Sequence, residues 1–319
     1  MKRRVNEPKK EGGGFFVADA FTNPDYIRYA LKTTVAAMFC YFLYSLLDWS
    51  GIHTAFITCY IVSLGTTAET VEKLTLRILG CLIGAAAGYG TMIFLIPHLT
   101  SITALMVVVF AGALAAGYVS AGSERISYAG FQMAFAFFLC VIQGSSPAFD
   151  LSTARDRVIG ILLGNVVAYL VATNLWPISV AKRIDPAIAA LLRRLAALMT
   201  ADKTARRALA SQAQSELAEI ETDLDLAAYE PSTVRPSAQW LAARREAADE
   251  IGALGSPLLL SADEHTTNST QIARRLEALA GRFAVAEIPT ALPGPTEWSG
   301  SPLFPIIDAS LRRLEAASI

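Results

Sequence analysis

The chain has 319 residues, 53% of them apolar, with 27 basic against 28 acidic side chains, and its mean hydropathy is +0.42. Such totals exclude an ordinary water-soluble domain and a broadly basic nucleic-acid binder. Residues 1–30 carry 10 charged side chains, residues 31–178 only 12, and residues 179–319 the other 33. Three regions are therefore expected: an amino-terminal segment (1–30), a membrane domain (31–178) and a soluble domain (179–319).

The start, Met-Lys-Arg-Arg, is followed by Asn-Glu-Pro-Lys-Lys-Glu-Gly-Gly-Gly rather than an apolar stretch, so no cleaved export signal is expected. The first membrane-length run follows Lys32 and ends at Leu47, where Asp48-Trp49-Ser50-Gly51 breaks it with an interfacial tryptophan. A second run, His53 to Leu64, falls short of about 20 residues and must be tilted, broken or completed by Gly65-Thr66-Thr67-Ala68. No charge interrupts residues 78–123, enough for a third and fourth span with a turn at Pro97-His98. A fifth is expected over Ser127–Gln143, and a sixth from Val158 to the Trp176-Pro177 stop. Glycines 80, 84 and 88 in the third, and 160 and 164 in the sixth, stand four apart, which permits close helix packing within one subunit or across a dimer seam. Cys40, Cys59, Cys81 and Cys140 lie singly in apolar runs, as small core residues do.

Lys and Arg concentrate at the amino end, between spans two and three (Lys73, Arg77), between four and five (Arg125), and after span six (Lys182, Arg183). The positive-inside rule then puts both termini in the cytoplasm, with Arg155 and Arg157 as exceptions on the opposite side. Beyond Asp185-Pro186 the apolar spacing predicts a long amphipathic helix running past Leu224, then helices over 238–254, 270–286 and 306–317, with a proline-rich loop at 289–305. The fold expected is all-α: about six transmembrane helices followed by a cytoplasmic helical domain. Arg-Arg pairs beginning at 193, 206, 244, 274 and 312 are interleaved with acids and read as solvated helix faces rather than anionic-ligand sites.

No Walker-type loop, hydrolase elbow, zincin helix or local histidine cluster occurs, so neither an enzyme, a metal, a cofactor nor ATP-driven transport by this chain is expected. Polar groups at membrane depth are the functional candidates. Asp48, His53 and Thr54 stand at the turn into the second helix, where free backbone donors favour an anion and His53 can carry a proton; an interfacial cap explains them equally well. Glu69, Glu72, Lys73 and Arg77 fill two helical turns, either as a functional group or as a salt-bridged loop with Glu69 and Lys73 in the favourable order. Glu124-Arg125, Asp150 and Arg155-Asp156-Arg157, with Gln132, Gln143 and Asn165, form the third group. An aspartate flanked by arginines can take or release a proton according to whether an anion occupies them; the alternative is headgroup-layer charges that fix helix ends.

Several ordered motifs carry a resemblance: Asn23-Pro24-Asp25-Tyr26-Ile27-Arg28-Tyr29-Ala30-Leu31-Lys32, Gly51-Ile52-His53-Thr54-Ala55-Phe56, Leu74-Thr75-Leu76-Arg77-Ile78-Leu79-Gly80, Gly122-Ser123-Glu124-Arg125-Ile126-Ser127-Tyr128-Ala129-Gly130 and Ala154-Arg155-Asp156-Arg157-Val158-Ile159-Gly160. They resemble the carboxy-terminal membrane unit of the fusaric acid resistance family, closely over residues 15–183. The resemblance implies a bacterial inner-membrane efflux component, working with a periplasmic adaptor and an outer-membrane channel to expel aromatic carboxylates and drugs on the proton gradient. That family typically carries two membrane units and here there is one, which implies a homodimer, a separate second half, or a truncated product. Asp156, Arg155, Arg157, Glu124 and Arg125 are the expected substrate or proton pathway, with His53 and Arg77 next. A passive organic-anion channel dimer and a non-transporting scaffold are the alternative functions.

Overall fold

The computed structural model describes Thr22 and residues 24–142, 150–261, 267–284 and 303–317. Among the described residues every regular element is helical. The chain forms two compact units: Met1–Ser63, Cys81–Ala113 and Ala134–Trp176 make the first, and Leu64–Gly80, Leu114–Met133 and Pro177–Ile319 the second.

Six α-helices occupy the apolar region: α1 (Pro24–Leu46), α2 (Thr54–Val62), α3 (Thr67–Gly90), α4 (Ile102–Gly122), α5 (Glu124–Val141) and α6 (Leu151–Asn174). Among the described residues three are long and apolar enough to cross a membrane: α3 with its π and 3-10 continuation to His98, α4, and α6. The other three fall short of that standard. Four tyrosines and Lys32 dilute the apolar character of α1 over its 23 residues. With its preceding 3-10 turn, α2 reaches only from Ser50 to Val62. Among the described residues α5 contributes a shorter apolar stretch, Arg125–Val141. The threonine stretch does not complete the second helix; Thr67 begins the third, and Thr66 caps it by accepting the Glu69 N–H at 3.2 Å. The turn at Pro97-His98 stands where the sequence puts it. The sixth helix starts seven residues before Val158, because Asp150 accepts the Ser152 N–H at 2.9 Å as its N-cap. Gln143, the expected end of the fifth span, lies outside the described residues.

Within the first unit α1 and α6 run antiparallel. Lys32 near the start of α1 donates to the Trp176 carbonyl beyond the end of α6 at 3.0 Å, and Trp49 beyond the end of α1 meets Asp156 near the start of α6. A cation at the carboxy-terminal end of a helix meets free carbonyls and a negative dipole. Small residues bring α2 against α6: a Cβ on Gly160 would overlap Thr54 and approach the Ile52 carbonyl to 2.9 Å, and one on Gly164 would lie 2.6 Å from the Ala55 carbonyl. Lipid supplies no hydrophobic drive between helices, so packing depends on such close approach. All four cysteines are buried and none forms a disulfide, as the apolar runs predict.

The second unit is centred on the carboxy-terminal helices α7 (Ala181–Thr200), α8 (Lys203–Leu226), α9 (Ala238–Ser261), α10 (Thr267–Phe283) and α11 (Leu303–Ala317). Ile184, Ile188, Leu191, Leu192, Leu195 and Met199 form the buried stripe of α7, at the three-to-four spacing of one helix face. They pack with Ile251, Leu276, Phe283, Phe304 and Leu311 into one apolar core. The single long helix expected from 186 past 224 is two helices, because Asp202 turns extended (φ −72, ψ 165) and accepts the Ala205 N–H at 2.8 Å. The last helix begins at Leu303, three residues before Ile306.

The arginine pairs are not simply solvated faces. Arg275 is 4% exposed and bonds Asp308 and Glu315. Arg244 bonds Asp185 at 2.8 Å and lies over the rings of Trp240 and Phe283. Arg194 bonds Glu216 at 2.5 Å and Arg313 bonds Glu250 at 2.5 Å. One arginine of each of these pairs clamps one helix to another, while Arg274 stays exposed.

Candidate functional site

The expected site residues fall into both units. His53, Arg155, Asp156 and Arg157 belong to the first, and Arg77, Glu124 and Arg125 to the second.

In the first unit, the start of α6 carries Asp156 on the side that meets the break between α1 and α2. Its Oδ2 accepts the indole N–H of Trp49 at 2.9 Å, and its Oδ1 accepts Arg155 Nε–H at 3.0 Å. The Asp156 side chain is 17% exposed and Arg155 60%, so the carboxylate is sheltered while its cation faces outward. Gly51 makes the approach possible, since a Cβ there would lie 2.5 Å from Asp156 Oδ2. Asp48, with φ 48, bends the chain into this turn, a left-handed conformation that costs a non-glycine residue energy and concentrates at functional segments. Arg157 points elsewhere: its guanidinium donates to the Leu139 carbonyl at 3.3 Å, and its own carbonyl accepts Thr54 Oγ1–H at 3.2 Å. Asp156 is thus held by one arginine and one indole. His53 is exposed and its Nδ1 lies 2.9 Å from the Ser50 carbonyl, a local turn contact.

Asp150, just ahead of α6, accepts from the Ser152 hydroxyl at 2.6 Å and the Thr153 hydroxyl at 2.8 Å. These bonds favour the ionised form and hold its carboxyl down at about 2. Farther along α6, Asn165 is 1% exposed, and neither its Oδ1 nor its Nδ2 has a hydrogen-bond partner among the described residues.

In the second unit, Arg77 of α3 is 3% exposed and donates to Tyr128 Oη at 2.9 Å and Gln132 Oε1 at 3.0 Å, both on α5. Arg125 is half exposed and bonds Glu72 at 3.1 Å and Asp225 at 3.0 Å. Glu124 opens α5; its side chain is outside the described set. Glu69 does not pair with Lys73: it bonds Arg183 at 2.6 Å and accepts the Thr66 N–H at 3.1 Å. Among the described residues no group of three or more His, Cys, Asp or Glu could hold a metal ion.

Three contacts escape sequence reasoning. Trp49 reads as an interfacial anchor, yet its indole N–H fixes the central carboxylate; the signal was a buried-capable donor at a membrane break. Tyr128 sits four residues before Gln132, a helical spacing that marks one face of α5 for Arg77. Glu230, fully buried, accepts the Val180 N–H at 2.6 Å and the Ser179 hydroxyl at 2.9 Å; nothing in a 50-residue separation announces it.

The arrangement offers a sheltered carboxylate beside an outward-facing arginine, and a buried arginine of α3 that donates to two side chains of α5. Such groups suit binding and release of an anion or a proton more than bond-breaking chemistry. The model of the fusaric acid resistance protein family matches residues 26–294. Similar curated proteins include the multidrug resistance protein MdtO of Shigella flexneri, 40% identical over 184 residues. That of Escherichia coli strain K12 is 39% identical over 183 residues. In each case the aligned part is 57% of this chain and 27% of the relative, so the chain spans about a quarter of the length of the curated relatives it matches. With the family model covering most of the chain, the chain belongs to the fusaric acid resistance protein family.

Proposed function

We propose that this protein is a subunit of an inner-membrane efflux transporter that exports aromatic carboxylates or amphipathic drugs, coupled to the proton gradient. The observation that carries the reading is the Arg155–Asp156 pair at the start of an apolar helix of membrane length, with Asp156 sheltered and Arg155 outward. Arg155 suits a substrate carboxylate by its forked donors. When a substrate anion takes that guanidinium, Asp156 loses its counter-charge and its affinity for a proton rises. Substrate and proton occupancy are then linked through one residue, as an exporter requires. Arg157, Glu124 and Arg125 belong to the same proposed pathway, with His53 and Arg77 as further members.

In this reading residues 31–178 form a membrane domain of six spans, with α1, α2 and α5 completing the bilayer unit beside α3, α4 and α6. Residues 1–30 and the helical domain 179–319 lie in the cytoplasm. The Lys32–Trp176 contact supports this topology, since it puts the start of α1 and the end of α6 on one side. A substrate path between repeats needs two membrane units, so the working assembly is a homodimer or a pairing with a separate second half. A periplasmic adaptor and an outer-membrane channel complete the route.

Replacing Asp156 with Asn keeps the Trp49 and Arg155 neighbours but removes the proton site. The variant should insert normally and lose the protonophore-sensitive part of export; unchanged export sinks the assignment. A saturable current indifferent to the proton gradient would instead favour a passive anion channel.

A further inference from the structure

Within the second unit, α7, α8 and α9 leave a cavity of about 130 Å³ between them. Leu191, Leu195 and Leu198 of α7 form one wall, at the spacing of a single buried helix face. The two helices that face them present small residues instead: Ala210 and Ala213 from α8, Gly252 and Gly255 from α9. A protein core ordinarily closes such spaces and keeps few voids larger than a water molecule. The alanines and glycines keep this one open. Glycine in a helix interior is less stable than alanine, yet α9 carries two, three residues apart, where it lines the cavity. A Cβ on Gly255 would meet nothing within 4 Å, and one on Gly252 would lie 3.3 Å from Leu217 Cδ2 on the α8 wall. Among the described residues no charged side chain lines the cavity, and its polar side chains are those of Gln214 and Ser256, both exposed.

We propose that this cavity is a binding site for a small uncharged ring compound of about phenol's size. The volume sets the size, since an apolar cavity of about 150 Å³ holds a benzene molecule. This one is slightly smaller but opens to solvent at Gln214 and Ser256, so one ring fits inside and a substituent reaches the mouth. The lining sets the charge: a carboxylate or an ammonium would lose its water with no counter-ion on the walls. A hydroxyl can bond Ser256 or Gln214 while its ring lies against the leucines, the usual division of a small-molecule site into apolar walls and a few polar groups. The Asp156 reading concerns anions and another part of the chain, and neither assignment stands on the other.

The full chain in phosphatidylcholine nanodiscs is titrated at neutral pH with 4-fluorophenol, and the fluorine resonance is followed by NMR against protein-free nanodiscs. Saturable broadening with half-saturation near about 1 mM is expected for a ligand of this size. Unlabelled phenol should compete and benzoate should not. Gly255→Leu and Ala210→Leu fill the cavity from two walls, and each should weaken half-saturation roughly tenfold or more while thermal unfolding stays cooperative. The double variant Gln214→Ala, Ser256→Ala removes the polar mouth; it should weaken 4-fluorophenol about threefold and leave fluorobenzene unchanged. No saturable broadening above the nanodisc reference, or wild-type half-saturation in both filling variants, overturns the proposal. Competition by benzoate as strong as by phenol overturns the uncharged class. Loss of binding as the protein concentration is raised would mean that a second copy covers the cavity, and the small-molecule assignment falls.

Discussion

The first unit and the carboxy-terminal helices of the second hold helices together by opposite means. Gly160 and Gly164 let α2 and α6 approach until backbone meets backbone, whereas α7 to α11 are kept apart by Leu, Ile and Phe side chains and tied by arginines such as Arg275 and Arg244. The reason lies in side-chain size. In the tail the apolar stripes are built of bulky Leu, Ile and Phe, whose burial against one another is itself stabilising. Lipid gives no such drive, so contact area and backbone proximity must replace it. A substitution that is harmless in one region should therefore be damaging in the other.

The largest effect is expected at Arg275. Arg275→Met removes the buried cation shared by Asp308 and Glu315, leaving Asp308 only the exposed Arg312, and should destabilise the protein by about 3 kcal/mol in denaturant unfolding. Its neighbour substitution Arg274→Ala, on the exposed side of the same pair, should stay within about 0.5 kcal/mol. Equal effects would refute the division of the Arg274–Arg275 pair into an outward cation and an inward clamp.

Next in size is the glycine seam. Gly160→Ala puts a methyl group against Thr54 and the Ile52 carbonyl, and should cost about 1–3 kcal/mol by forcing α2 from α6. In the tail, a Cβ on Gly255 meets nothing within 4 Å. Gly255→Ala there should stabilise α9 by up to about 1 kcal/mol through helix propensity. The opposite signs are the sharpest form of the comparison; a destabilised Gly255→Ala would break it.

A smaller effect concerns acid. Arg313 holds the Glu250 carboxyl below the ordinary glutamate range, so the folded state binds that proton more weakly than the unfolded chain. The resulting stabilisation is complete above the unfolded value, about 4.3, and is lost as pH falls through the depressed folded one. Thermal midpoints measured between pH 6 and pH 3 should drop less steeply in Glu250→Gln than in the wild-type chain. A parallel acid limb would mean that the pair is fully screened.

Hydropathy and turn residues made much of this legible. The Pro97-His98 turn, the break after Leu47 and the amphipathic stripe of α7 follow from local spacing alone. Helix ends were less legible where a polar cap outweighed periodicity. Asp150 and Asp202 are each one residue, and each moved a boundary. The candidate site was visible only as a set of residue types. That Asp156 would meet Trp49 across 107 positions, or that Arg157 would turn to a carbonyl, depends on how α1, α2, α5 and α6 pack. Spacing within a helix fixes which residues share a face, but not which helix that face meets. The arginine pairs mislead for a related reason: interleaved acids suggest a solvated face, whereas Asp308 and Glu315 come from another helix and draw Arg275 inward.

The most direct test of transport is accumulation of a labelled aromatic carboxylate in an efflux-deficient Gram-negative strain expressing this chain. Membrane insertion is verified and a protonophore is added in parallel. Lower accumulation that returns to the control level with protonophore is the predicted result. Equal accumulation with and without the inserted protein would contradict export by this membrane unit.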